Sequence, residues 1–244
     1  ANHTEVKAKI IEFVLDNTAI EVNPYDWFGF NYCGWLTQKK SFELEEGKPL
    51  LWFMCKQWEN ELPKTKEYIE AAANIIETGT GEHYPDYDHC VPDWDSVIGL
   101  GFGGMLKRAE GFYNEHKENG TLNEDMEIYY EAVITSYKAI IRIMNRFYEC
   151  AKKHISDSPK MPLVVECLEQ IKEGTPKTLY QYLALTYIDH LLQEFLDGVQ
   201  VRTLGNLDVD GYPYYKKDLE EGRLTKENVI ELFQYFYEKY TNQG

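Results

Sequence analysis

Four segments of this sequence hold chemistry-capable residues at suggestive spacings. Gly99-Leu-Gly101-Phe-Gly103-Gly104 matches G-x-G-x-x-G. In that motif, glycines let a pyrophosphate approach backbone N–H groups at a helix N-terminus. It needs a strand before it and a helix after it. Val97-Ile98 is too short a lead-in, Pro92-Asp93 lies just upstream, and no βαβ pattern surrounds it. The segment reads as a Gly-rich helix start packed closely against a neighbour. Asn206-x-Asp208-x-Asp210-Gly211 matches the opening of a calcium loop, but Lys217 stands where the bidentate Glu belongs, and Pro213 falls inside. His83, Asp86, Asp88, His89, Cys90, Asp93 and Asp95 crowd one stretch, in no known zinc spacing. Most of them read as helix caps in a polar loop. Cys167-Leu-Glu169 pairs a thiol with an acid, yet Val164, Val165, Leu168 and Ile171 surround it, so it reads as core. No carboxylate pair stands out for glycoside hydrolysis.

The elements that would position these residues are almost all helical. Glu5–Asp16 has the alternation of an amphipathic helix. Residues 17–47 read as loop with one or two short extended pieces. Residues 48–60 and 63–78 read as two helices, with Pro63 in the first turn of the second. Residues 79–93 read as a polar loop, followed by a helix to about Lys117. Asn119-Gly120 ends that helix, and Asn123 caps the next. Met126, Tyr130, Val133, Tyr137, Ile140, Met144, Phe147 and Ala151 then give one buried stripe on a long helix. A short helix covers roughly 160–173. Thr175-Pro176 supplies a cap and first-turn Pro for helix 177–197, which is apolar nearly all round. Val199–Leu204 suits a short strand. A last helix starts at the Thr225 cap. The fold class expected is mainly α with a few short strands, in a single unit over residues 1–244.

Composition narrows the function. The 244 residues carry 41 Asp+Glu against 25 Lys+Arg, a net charge of −16. That excludes general affinity for nucleic acid and for anionic membranes. The longest uncharged runs, Ser96–Leu106 and Thr178–Ile188, are too short to span a bilayer. Ala1–Glu5 is not a signal peptide. Five Cys (33, 55, 90, 150 and 167), an odd number without C-x-x-C, suit free thiols in a reducing, cytoplasmic setting.

The strongest motif lies at 199–244. Tyr212-Pro-Tyr-Tyr-Lys-Lys-Asp218-Leu-Glu-Glu-Gly-Arg-Leu-Thr225 resembles, nearly residue for residue, the Y-P-Y-Y-K-K-D…E-E-G-R-[LI]-T stretch of glycyl radical enzymes of the pyruvate formate-lyase type, especially the dehydratase-like branch. Asp88-His89-Cys-Val-Pro92-Asp93-Trp-Asp-Ser-Val-Ile98 resembles that family's G-H-x-x-P-D-Y-x-x-V-L. Gly101–Glu110, the Tyr129–Ala139 segment and Thr175–Tyr182 resemble further family segments. The likeness runs from about residue 80 to the end, and more faintly through 1–79.

The resemblance implies a ten-stranded α/β barrel wrapped in helices, of which this chain is the N-terminal helical part and first strands. It implies radical lyase or dehydratase chemistry: a backbone glycyl radical, installed by a radical S-adenosylmethionine activase, oxidises a Cys to a thiyl radical that abstracts hydrogen from substrate. The family's catalytic Cys and glycyl loops fall beyond residue 244. The chain is therefore expected to be inactive alone, with no catalytic residue, no metal and no directly bound cofactor. Its partners would be the remainder of the enzyme, or a chain carrying those loops, together with the activase; a homodimer is compatible. His89 matches the loop His that reaches substrate, and Thr203 matches a Ser on the first barrel strands. Arg202 either faces a substrate carboxylate as a bidentate donor or is a solvated edge residue. Asn206 stands where the family has Arg, and Asp88 where it has Gly, so the usual polyol-type substrate is in doubt. The alternatives are a non-catalytic helical subunit or scaffold derived from the family, and an unrelated acidic helical binding domain.

Overall fold

The computed structural model describes residues 2–32, 89–197, 200–201 and 203–241. The two helices expected over 48–60 and 63–78 lie outside the described residues. Helix α1 (His3–Asn17) opens on a capping box: the Asn2 side chain accepts from the Thr4 N–H, and Glu5 accepts from the Asn2 N–H. Strand β1 (Ile20–Val22) pairs antiparallel with β2 (Phe30–Tyr32), Ile20 opposite Tyr32. These are the extended pieces expected after residue 17.

Strand β3 (His89–Cys90) emerges inside what reads from sequence as loop, and leads into α2 (Trp94–Glu118). Asp93 caps that helix by accepting from the Ser96 N–H. Asn123 likewise caps the 30-residue α3 (Glu124–Lys153), as its position predicts. Helix α3 is the central beam, with α1, α2 and α4 (Met161–Ile171) packed along it. Ala139, Ile143, Met144, Phe147 and Ala151 are its buried seam. Arg146 donates to the Leu15 and Thr18 carbonyls and so ties off the end of α1. Arg142 pairs with Glu12 and Asp16 across the same junction. Both partners there are about 40% exposed, so that pair contributes under about 1 kcal/mol.

Helix α5 (Leu179–Asp197) is buried on nearly every side, as its sequence predicts. Its start corrects the expectation of a Thr175-Pro176 cap. The cap is Thr178, whose hydroxyl accepts from the Gln181 N–H, while Asp218 takes the Leu179 N–H. Two acceptors at these sites start the helix later than the Pro suggests. Strand β4 (Gln200–Val201) follows and pairs parallel with β3.

The stretch with the calcium-loop spacing is helix α6 (Leu207–Glu220), Pro213 included. It packs on α5 by stacking Tyr214 on Tyr182 at 5.4 Å, and Gly211 gives the Tyr182 ring room to approach. Its C-terminus is a Schellman motif. Gly222 is left-handed (φ 67°), its N–H reaches the Leu219 carbonyl, and the Arg223 N–H reaches that of Asp218. The Arg223 guanidinium then closes on the Asp218 carboxylate at 2.8 Å. Asp218 is 1% exposed, so this acid joins the ends of α5 and α6. Helix α7 (Lys226–Thr241) begins at Thr225, which exchanges hydrogen bonds with Asn228. Among the described residues, no helix is long and apolar enough to cross a membrane.

The glycine motif has a packing role. Gly101 breaks α2 with a left-handed backbone (φ 64°, ψ 174°), and a Cβ there would sit 2.5 Å from the Gly174 carbonyl oxygen. A Cβ on Gly103 would meet the Glu173 carbonyl oxygen at 2.5 Å, the atom that accepts the Gly103 N–H. Gly99 has open space around it. We expect Gly103→Ala to lower stability by about 1–3 kcal/mol in urea unfolding. Gly99→Ala should be neutral or slightly stabilising, because alanine is the better helix former. Asp218→Ala should cost about 1–3 kcal/mol in the same assay, since it strands the Leu179 N–H and Arg223 together.

Candidate functional site

Strands β3 and β4 lie side by side in parallel, His89 opposite Gln200 and Cys90 opposite Val201. Among the described residues no third strand joins them. Each strand is followed by a helix, α2 after β3 and α6 after β4. The turns that leave the two strands are therefore neighbours. In parallel α/β sheets this carboxyl end is where ligands bind.

The pairing sets the backbone of His89 beside the segment that leads to Thr203. Thr203 is half-buried, and its hydroxyl accepts the Gly205 N–H at 3.1 Å. Gly205 is left-handed (φ 72°) and lies against the Trp94 indole: a Cβ there would fall 2.7 Å from Trp94 Cδ1. So the first residue of α2 and the turn after β4 touch. Arg202 and the His89 side chain lie outside the described residues. Sequence reasoning missed Trp94 and Gly205. Their signals were adjacency to the Pro92-Asp93 cap and the Thr203-Leu-Gly205 turn.

Polar groups support this corner. Asp93 accepts both the Ser96 N–H and the Ser96 hydroxyl, which hold its carboxyl below the usual range. Arg108 donates to the same Ser96 oxygen at 2.8 Å. Tyr137 of α3 lies close enough to feel Asp189, Arg108 and Asp93, and burial foremost pushes its phenol up to about 12. Asp189 on α5 is buried, and accepts from the Gln193 amide at 2.6 Å. Burial pushes its carboxyl up to about 7, against the smaller opposing effect of Gln193.

The other candidates separate cleanly. Cys167 is buried in α4, and burial raises its thiol well above the ordinary value, the opposite of an activated nucleophile. Cys150 and Cys167 are free thiols. His83, Asp86 and Asp88 lie outside the described residues. Among the described residues, no three His, Cys, Asp or Glu side chains gather where an ion would sit.

Residues 56–244 match the family described as pyruvate formate lyase-like. The chain belongs to that family. It is 25% identical over 207 residues to (2S)-3-sulfopropanediol dehydratase of Klebsiella oxytoca, covering 78% of this chain and 25% of that protein. It is 30% identical over 154 residues to the 4-hydroxyphenylacetate decarboxylase glycyl radical subunit of Clostridioides difficile, covering 59% of this chain and 17% of the subunit. Among solved structures, hydroxyproline dehydratase from Clostridioides difficile superposes with TM-score 0.69 at 18% identity, over 98% of this chain and 35% of that one. A glycyl radical enzyme from Archaeoglobus fulgidus gives 0.66 at 15% identity, over 96% and 35%. The chain thus spans about a sixth to a third of the length of these glycyl radical relatives. It corresponds to their N-terminal part.

A pH dependence follows from Asp189. Its folded pKa, about 7, stands above the unfolded value near 3.9, so the folded state binds the proton more tightly. Its contribution is greatest below pH ~4 and is lost as pH rises towards ~7. Asp189→Asn keeps the neutral shape and removes the titration. Urea unfolding at a series of pH values should show the variant gaining on the wild type between pH ~4 and ~7, then a constant difference above.

Proposed function

We propose that this chain is the N-terminal, substrate-side portion of a glycyl radical lyase or dehydratase that breaks a C–C or C–heteroatom bond. The carrying observation is the parallel pairing of His89 with Gln200. It joins two segments, far apart in sequence, that resemble the family's substrate-contacting loops. Two parallel strands make a poor sheet alone, because parallel sheets are normally covered on both faces and continued at their edges. Further strands of a barrel would continue this pair.

In this reading His89 and Thr203 contact substrate, and Arg202 supplies a cation to an acidic substrate group. The glycyl radical and the catalytic Cys belong to the rest of the protein or to a partner chain, and a radical S-adenosylmethionine activase installs the radical. The 244 residues alone do not turn over substrate. The site is cytoplasmic and works without oxygen, which would destroy the radical.

The test is intact mass and electron paramagnetic resonance of the protein isolated anaerobically from its source, before and after activation. The expected result is a mass several times 28.6 kDa and a glycyl radical signal. A stand-alone mass of 28.6 kDa, with no radical-bearing partner co-purifying, would overturn the reading. In the active enzyme, Thr203→Val should raise KM by roughly tenfold, the value of one hydrogen bond.

A further inference from the structure

A cavity of about 280 Å³ lies between α4, the start of α5, the end of α6 and α7, near the lower end of the range for ligand pockets. Trp27, Leu163, Tyr180, Leu224 and Leu232 give it apolar walls. Most polar groups on those walls are committed to the fold. The Tyr180 hydroxyl donates to the Trp27 carbonyl, and the Trp27 indole N–H donates to Glu231 at 3.0 Å. Asp218 is taken by the Leu179 N–H and by Arg223. Gln181 keeps a donor in reserve. It lines the cavity and is only 5% exposed. Its Oε1 accepts the Lys177 N–H at 2.8 Å, which fixes the nitrogen at the other end of the amide. That Nε2 has no hydrogen-bond partner among the described residues, and unlike the Trp94 indole nitrogen it is not sealed from open space. The Thr178 hydroxyl, also on the cavity wall, accepts the Gln181 backbone N–H at 3.2 Å and keeps its own proton to donate.

We infer that this cavity binds a small molecule with an apolar body and an uncharged carbonyl oxygen, which accepts a hydrogen bond from Gln181 Nε2. A largely buried amide N–H has lost most of its water, and an acceptor restores what burial took. The charges around the cavity choose the kind of acceptor. Arg223 lines the cavity, but its guanidinium is shared between Asp218 and Glu221. Glu231 is paired with Lys160 at 2.6 Å. Glu166 lines the cavity and is exposed, so it stands at the mouth. A carboxylate ligand would meet that acid with no uncommitted cation among the described lining residues to offset it. An ammonium ligand would set donors against the donors of Gln181 and Thr178. An uncharged carbonyl avoids both conflicts. The described residues of this cavity include none from the β3–β4 corner, so the inference does not depend on the reading of that corner.

Benzamide, benzoate and benzylamine share one ring and differ in the polar group, so they separate the alternatives. Their binding is measured by ligand-observed saturation-transfer nuclear magnetic resonance, on the protein at the full length its source makes. Benzamide should bind saturably, with benzoate and benzylamine about tenfold weaker or more. Gln181→Glu keeps the acceptor for the Lys177 N–H and removes the donor, so benzamide affinity should fall about tenfold. Gln181→Met removes the donor without adding an acid, and should show the same loss even where burial of the new carboxyl unfolds the first variant. Glu166→Gln alters only an exposed side chain; it should leave benzamide unchanged and strengthen benzoate by roughly threefold. Circular dichroism and the urea midpoint report whether each variant is folded. The inference is overturned if benzamide does not bind, or if benzoate or benzylamine binds as tightly. It is equally overturned if a folded Gln181 variant keeps the wild-type affinity for benzamide, or if Glu166→Gln leaves benzoate unchanged. These titrations need no radical, so they fail independently of the magnetic resonance test of the enzyme reading.

Discussion

A carboxylate removed from water is stable only where donors surround it, and Asp218 shows how much structure one such group can organise. Its side chain receives the first N–H of α5 and the guanidinium of Arg223, and its carbonyl receives the Arg223 N–H. Helix α5 must therefore begin where α6 ends. The direction of α7 follows, because Gly222 turns the chain at that same point. A Schellman motif usually closes on an apolar contact between the residues that here are Asp218 and Arg223. An ion pair takes that place, which couples the helix end to the start of another helix through charge.

This junction also explains why the segment most like other family members is so specific. In Tyr212–Thr225, Tyr214 stacks on α5, Asp218 caps it, Gly222 turns the chain, Arg223 holds the acid and Thr225 opens α7. The motif that identifies the family is mostly architecture. The corner proposed to face substrate lies elsewhere, at the ends of β3 and β4.

Helix-forming periodicity and caps made most of the scaffold legible in advance. Asn123, Gly120 and Thr225 stand where they were expected, and Gly101 and Gly103 do the close packing expected of a glycine-rich helix start. Helix α6 was not legible, because Gly211 and Pro213 mimic a loop and its stability comes from the stack on Tyr182 and the Asp218 junction. The start of α5 was misplaced for the same reason: its cap is completed by an acid far along the chain. Strand β3 was hidden because two residues carry no period, and its partner is distant. The neighbouring segments of the site could be named from resemblance. Their contact, and the role of Gly205 in admitting the Trp94 ring, are products of tertiary packing.

The β3–β4 pair has a consequence for how the molecule is made. Its partners, His89 and Gln200, stand more than a hundred residues apart, and the intervening chain is four helices that pack on one another. Contacts of such long separation carry the largest loop-closure cost, while helices form from local contacts. The helices therefore consolidate first, and the strand pair closes late, once α2 and α5 have been brought together. The corner holding Trp94, Thr203 and Gly205 exists only after that closure. The contact between Trp94 and the Thr203–Gly205 turn is thus the last this fold makes as it closes, and the first it gives up when it begins to open.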